Sequence, residues 1–440
     1  MNRVVTRVSM LLLMLAVSGM AQANPQIQHW TTANGAQVYF VPTHEIPMVD
    51  VRVAFDAAAS RDGDKPGLAK LSIGMLNEGA GGLTATQLTE RLDDLGAQLS
   101  LQSLRDMAYI QLRSLAAPDI LMPAIDTVAM MIRQPDFPPD AFERVRKQML
   151  IGHRYAQQRA SSRANDILFA TLYGDHPYAH PDDGTEASLS AITPDDARAF
   201  HARYLVGANA TLAIVGDLDR ATAEALAERI IGGLPKGGKP APLPDVPAPA
   251  PAQTIHLAHP GQQTHIVIGQ PVAKRGDPDW FALYVGNQIL GGAGLTSRLA
   301  DEVREQRGLA YSASSGFSPM RAAGPFVLGA QTRNDQTREA VQVIRDTLDR
   351  FIADGPGEQE LEAVKKNLRG GFPLRIASNA KILDYIAMIG FYGLPLDYLD
   401  QFDGKVAAVT IDSVRDAFNR RVDPAHMLTV LVGGEADAAR

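Results

Sequence analysis

The chain has 440 residues, 45% of them apolar and 21% charged, and its 42 basic and 49 acidic side chains leave a net charge of -7. At roughly 100–200 residues per domain this length predicts two to four domains with sizeable apolar cores, and nothing in the acidic balance suggests a nucleic-acid binder. Cysteine is absent, which excludes disulfide staples, thiolate metal ligands and a thiol nucleophile.

The chain opens with Arg3 and Arg7, continues with an apolar run from Met10 to Val17, and reaches Ala21-Gln22-Ala23. Basic, apolar and small residues in that order form an export signal over residues 1–23, so a periplasmic chain starting at Asn24 is expected. No later segment has the ~18 consecutive apolar residues of a membrane span. Alternating apolar positions predict strands over 38–41 and 49–55, and helical spacing predicts helices over 67–76, 85–95 and 139–160. Residues 234–253, LPKGGKPAPLPDVPAPAPAQ, are dominated by proline, alanine and glycine. They read as a semi-extended linker between lobes spanning 24–233 and 254–440. The second lobe repeats the mixture, with strands over 264–269 and 326–331 and helices over 280–290, 299–307, 337–354 and 358–368.

Both lobes close on the same pattern. At a constant offset of 217, Thr193 matches Thr410, Asp195 matches Asp412, Arg198 matches Arg415 and Gly216 matches Gly433. Each segment reads as a Thr-capped amphipathic helix followed by an apolar strand that ends in glycine. The expected fold is therefore α+β, two homologous lobes, each a mainly antiparallel sheet with helices packed on one face.

From Gln288 the chain reads QILGGAGLTSRLADEVREQRGLAYSASSGF. With NGAQVYFVPTHEIPMVDVRVAF, HPYAHPDDGTEASLSAIT and YLVGANATLAIVGDLD in the first lobe, it resembles the M16 metallopeptidases, the pitrilysin and mitochondrial processing peptidase family, over essentially residues 24–440. The resemblance implies the two-lobed fold of that family. Its active members hold zinc with His-x-x-Glu-His on a helix and a glutamate about 77 residues later, the inner glutamate activating water. Here Lys70, Ile73 and Gly74 stand at the three motif positions and Ile151 at the distal one. An ammonium, two aliphatic side chains and a glycine offer zinc no donor, so no metal is expected in this chain. His44, His153, His256, His259 and His265 lack ligand spacing, and His176 and His180, four apart, are denied a shared helical face by Pro177 and Pro181, so all read as surface or hydrogen-bonded histidines.

The resemblance also assigns a second-lobe pair, spaced R-x6-Y, that reaches the substrate carbonyl facing the zinc. Arg304 and Tyr311 have that spacing. A guanidinium and a phenol are donors suited to a developing oxyanion; read without the family, they are a helix-terminal cation and an ordinary strand residue. Gly291, Gly292 and Gly294 read either as a helix-ending turn or as backbone that lets a partner or extended peptide approach. An erased metal site beside a retained donor pair implies the metal-free subunit of a heterodimeric endopeptidase, with zinc in a homologous partner carrying His-x-x-Glu-His, and peptides as substrates. The alternative is an inert scaffold or peptide-binding protein. A serine hydrolase is poorly supported, since Ser72 and Ser315 have no G-x-S-x-G context.

Overall fold

The computed structural model describes residues 24–435, so the expected export signal lies outside the described residues. In the first half, β1 (Gln28–Thr31), β2 (Gln37–Pro42), β3 (Met48–Phe55), β6 (Gln98–Ser103), β7 (Ala108–Leu115) and β8 (Ala210–Gly216) form one sheet ordered β1-β2-β8-β3-β7-β6. A small hairpin, β4 (Gly79–Ala80) and β5 (Leu83–Thr84), stands apart. The second sheet comprises β9 (Gln253–Leu257), β10 (Gln263–Ala273), β11 (Ala310–Phe317), β12 (Gly324–Arg333) and β13 (Leu428–Val432), ordered β11-β12-β10-β13-β9. β2 and β8 pair in parallel, as do β9 and β13, and all other neighbours are antiparallel. Aligning β2-β8-β3-β7-β6 with β9-β13-β10-β12-β11 reproduces every pairing sense.

The sequence repeat falls on this correspondence. Helices Pro194–Tyr204 and Ile411–Arg421 are capped by Thr193 and Thr410, whose hydroxyls accept the Asp196 and Ser413 N–H groups at 3.3 and 3.1 Å. Gly216 and Gly433 end the following strands where a Cβ would collide with the backbone of the neighbouring strand, at Met48 and Val49 in one lobe and Gln263 and Thr264 in the other. Only glycine fits so close an approach. Residues 236–252 carry neither helix nor strand, and the backbone carbonyls of Ala241 and Pro244 are held by Arg61 at 2.8 Å and His176 at 3.0 Å.

The helices of each lobe cover one face of its sheet, and the structure adds a layer on the other. Helix Ala160–Tyr173 lies on β10 and β13 of the second sheet, and helix Asn379–Tyr392 lies on β2, β3 and β8 of the first. Ala164 and Leu168 pack against Val430 and Val432, while Ile382 and Ile386 pack against Tyr39 and Val215. Burying side chains of this size contributes ~1.5–3 kcal/mol each. This exchange explains why β3 is buried along nearly its whole length despite the polar positions Asp50 and Arg52. Asp50 holds Arg113 through two bonds of 2.8 and 3.1 Å, and Arg52 binds Gln111 and reaches Asp384 of the exchanged helix at 2.6 Å.

The lobes also meet at Asp106, which is 3% exposed. Its carboxylate accepts the Tyr178 hydroxyl at 2.5 Å, the Arg321 N–H at 2.6 Å and the Tyr392 hydroxyl at 3.2 Å. Burial pushes both phenols far above their ordinary range, so they stay protonated donors.

A second carboxylate ties helices within the second lobe. Asp279, just before helix Trp280–Asn287, is bound by Arg420 at 2.8 and 2.9 Å and by Arg421 at 2.7 Å. These guanidiniums, Arg420 foremost, hold its carboxyl down to about 2. A depressed carboxylate stabilises the fold above its unfolded value of about 4, and the contribution is lost as pH falls from there through about 2. Urea midpoints of the native protein should therefore fall more steeply over that window than those of Asp279→Asn; parallel acid limbs would show that the ion pairs contribute nothing. Among the described residues no helix is long and apolar enough to cross a membrane.

Candidate functional site

Helix Leu68–Gly74 begins after Gly67, whose φ of 91° requires glycine. Asp62 caps it from outside, its carboxylate accepting the Gly67 and Ala69 N–H groups, both at 2.7 Å. Burial pushes that carboxyl up to about 8, against the two N–H groups that favour its charged form. Lys70, Ile73 and Gly74 occupy positions i, i+3 and i+4 and so share one helical face. Lys70 is paired with Asp183. Ile73 is 2% exposed within the first-lobe core, and Gly74 lies where a Cβ would sit 3.8 Å from Val145 of helix Pro139–Gln157. Ile151 is on that same helix, six residues and on the order of 9 Å beyond Val145, and is 52% exposed.

These four positions do not fit a zinc ion. Lys70 is donor-only, and the other three carry no donor atom for a metal. Gly74 leaves instead a cavity of about 480 Å³ that runs past Leu88 and Leu92 to Leu99 and Leu101 of β6, an edge strand. Beside the Lys70–Asp183 pair, His153, Asp166, Asp182 and Arg105 line a second, polar cavity of about 190 Å³. Burial pushes Asp166 and Asp182 upward while Arg105 opposes it. Among the described residues no three His, Asp or Glu side chains converge to hold a metal. Several histidine rings instead bond backbone carbonyls: His176 to Pro244 at 3.0 Å, His256 to Gly433 at 2.8 Å and His259 to Gln158 at 2.9 Å. The hydroxyls of Ser72 and Ser315 are likewise spent on Leu68 O and the Asn287 side chain, at 2.7 and 2.6 Å.

In the second lobe the donor pair is brought together. Arg304 lies in the wide turn Asp301–Glu305, and Gly308, with φ of 62°, ends the helical segment through bonds from Gly308 N to Arg304 O and Leu309 N to Val303 O, both 2.9 Å. This reversal delivers Tyr311 to the start of edge strand β11, with the Arg304 guanidinium 4.9 Å from its ring centroid. Tyr311 is 83% exposed, and among the described residues its hydroxyl has no hydrogen-bond partner. Arg304 has one neighbouring acid, Glu305, at 3.3 Å. Two donors are thus presented outward, with the Glu305 carboxylate beside Arg304. A guanidinium and a phenol so placed are suited to an oxyanion brought from outside the chain.

The glycines divide. Gly291 is buried, and a Cβ there would overlap the Ser315 amide and hydroxyl, so its close approach is to the chain's own β11 and not to a partner. Gly292 is exposed, and a Cβ there would meet the side-chain amides of Asn287 and Gln288. Gly294, with φ of 61°, has open space around it, and Leu295 next to it is 61% exposed. Gly294→Ala should cost about 1 kcal/mol, from the backbone conformation alone. Gly291→Ala should cost clearly more, and equal melting temperatures for the two variants would refute this division.

The family profile described as "Peptidase M16 inactive domain" matches residues 191–368. A solved structure from Pseudomonas fluorescens, described as a peptidase M16 inactive domain, is 40% identical, superposes with a TM-score of 0.90, and is covered over 93% of this chain and 98% of that one. An uncharacterized zinc protease of Mycobacterium leprae is 30% identical over 295 residues, 66% of this chain and 65% of that protein, so the match spans about two thirds of its length. Helicobacter pylori has a relative named "Non-peptidase homolog YmxG", 26% identical over 86% of this chain and 87% of that one.

Proposed function

Because the chain belongs to the M16 peptidase family, we propose that it is the metal-free subunit of an exported heterodimeric M16 endopeptidase, paired in the periplasm with a homologous subunit that carries His-x-x-Glu-His and the zinc. The observation that carries this reading is the exposed, unspent Arg304–Tyr311 pair in a chain whose Lys70, Ile73, Gly74 and Ile151 cannot hold a metal. In the assembled enzyme the pair donates to the carbonyl oxygen of a peptide whose attacking water is activated on the partner. The first lobe lines the peptide chamber, with the free edge of β6 and the cavity beside Gly74 suited to an extended peptide.

The lone chain should purify without stoichiometric zinc and cleave no peptide. Tight zinc together with chelator-sensitive cleavage by the chain alone would sink the proposal. A second reading, an inert scaffold or peptide-binding protein, is favoured by the relative named a non-peptidase homolog. Activity on mixing with a zinc-bearing subunit separates the two.

A further inference from the structure

The duplication gives each lobe a cleft at the same topological place. It lies between the start of the first helix after β3 or β10, the turn after the exchanged helix, and the lobe's last long helix. The two clefts have diverged in chemistry. In the first lobe two of the cations are neutralised, Arg61 gripping Asp56 through two bonds of 2.7 Å and Lys65 pairing with Asp196 at 2.6 Å, while Arg203 lies over the Tyr204 ring.

The second-lobe cleft, about 420 Å³, is walled by Trp280, Phe281 and Tyr398 and carries three cations, Lys274, Arg275 and Lys405. Among the described residues none of these cations has a carboxylate within ion-pair distance. The acid in the wall, Asp277, is 7% exposed and already bound by Arg421 at 2.9 Å and the Asp279 N–H at 2.9 Å. The Arg275 Nε is buried with no hydrogen-bond partner, and its guanidinium lies 5.4 Å from the Tyr392 ring. Lys405 Nζ sits 5.5 Å over the Phe281 ring, Phe281 lies 6.2 Å from Tyr398, and Trp280 stacks on Tyr284 at 5.5 Å. The result is a rigid aromatic wall beside unneutralised positive charge, with a volume in the range of small-ligand sites.

We propose that this cleft binds a small amphiphile with a flat apolar body and one anionic head, in simplest form an aryl carboxylate. The body lies on Trp280 and Phe281, and the head meets Lys405 and Arg275. A carboxylate head compensates the charge of Lys405 and Arg275 through charge-assisted bonds, which a neutral amide cannot do. This site is separate from Arg304 and Tyr311 and does not depend on a partner subunit.

The chain has two tryptophans, so Trp30→Phe leaves Trp280 as the sole indole reporter. The full chain in that background is titrated with 3-phenylpropionate, N-acetylphenylalanine and N-acetylphenylalanine amide at low salt, following indole emission. A saturable change is expected with 3-phenylpropionate, with the amide at least about tenfold weaker and Lys405→Gln weakening the acid about tenfold. Binding of N-acetylphenylalanine as well identifies the head as a peptide C-terminus, and binding of 3-phenylpropionate alone identifies a free acid. Lys405 is a surface residue, and an unchanged melting temperature keeps its variant interpretable. The inference is overturned if neither acid saturates, if the amide binds as tightly as the acids, or if Lys405→Gln and Arg275→Gln both leave the affinity unchanged.

Discussion

Turnover by the proposed complex of this chain with a zinc-bearing subunit should drop about 10²–10³-fold when Arg304 is replaced by Ala, with the stoichiometry of assembly unchanged. The physical reason is differential binding. A guanidinium beside the ground-state carbonyl gains little, but beside the tetrahedral oxyanion it meets a full negative charge in a site closed to bulk water. Because Arg304 is already 4.9 Å from the Tyr311 ring and has one weakly held acid, Glu305, little reorganisation is needed on closure. Tyr311→Phe should fall in the same range or somewhat below it, since it removes one hydrogen bond and keeps the ring under Arg304. Both losses should appear in kcat. A rise confined to KM would mean that the pair binds peptide without stabilising the transition state, and unchanged kinetics would make it structural.

The largest effect on stability is expected at Asp106. Replacing it by Ala removes the acceptor shared by Tyr178, Tyr392 and the Arg321 N–H and leaves three donors between the lobes without a partner. At ~1–3 kcal/mol for each buried group left unsatisfied, the loss should reach about 3 kcal/mol or more, read from urea unfolding. Tyr392→Phe, which gives up one longer bond of 3.2 Å, should cost about 1 kcal/mol. Similar losses for the two variants would show that the carboxylate is not the hub. Because Asp106 joins the turn between β6 and β7 to the loop between β11 and β12, its loss should also disturb how the second lobe presents Tyr311.

Much of this was legible in the sequence because the signals were local. Thr193 and Thr410 announce their helices, and Gly216 and Gly433 mark strand ends that meet a neighbouring backbone. Helix Pro118–Arg133 went unread, with Pro123 inside it interrupting the pattern. Residues 139–160 read as one helix, yet the chain breaks at Gln158 and Arg159 and restarts as Ala160–Tyr173. Amphipathic spacing says that a face is buried but not against which sheet, so the exchange of this helix with Asn379–Tyr392 could not be foreseen. The face of β3 that bears Asp50 and Arg52 carries the exchanged helix, with Arg52 reaching Asp384. Gly291 illustrates the same limit, since only Ser315 on β11 shows whose backbone makes the close approach. The cationic cleft draws on distant segments, so no single stretch announces it.

The most direct test is a titration of a zinc-bearing M16 subunit, one with intact His-x-x-Glu-His, with this chain while peptide cleavage is followed. If this chain is the metal-free half of the enzyme, cleavage should rise from near zero and saturate at one equivalent, chelation should abolish it, and Arg304→Ala should assemble without restoring it. A zinc-bearing subunit that is fully active alone and indifferent to this chain would contradict that assignment.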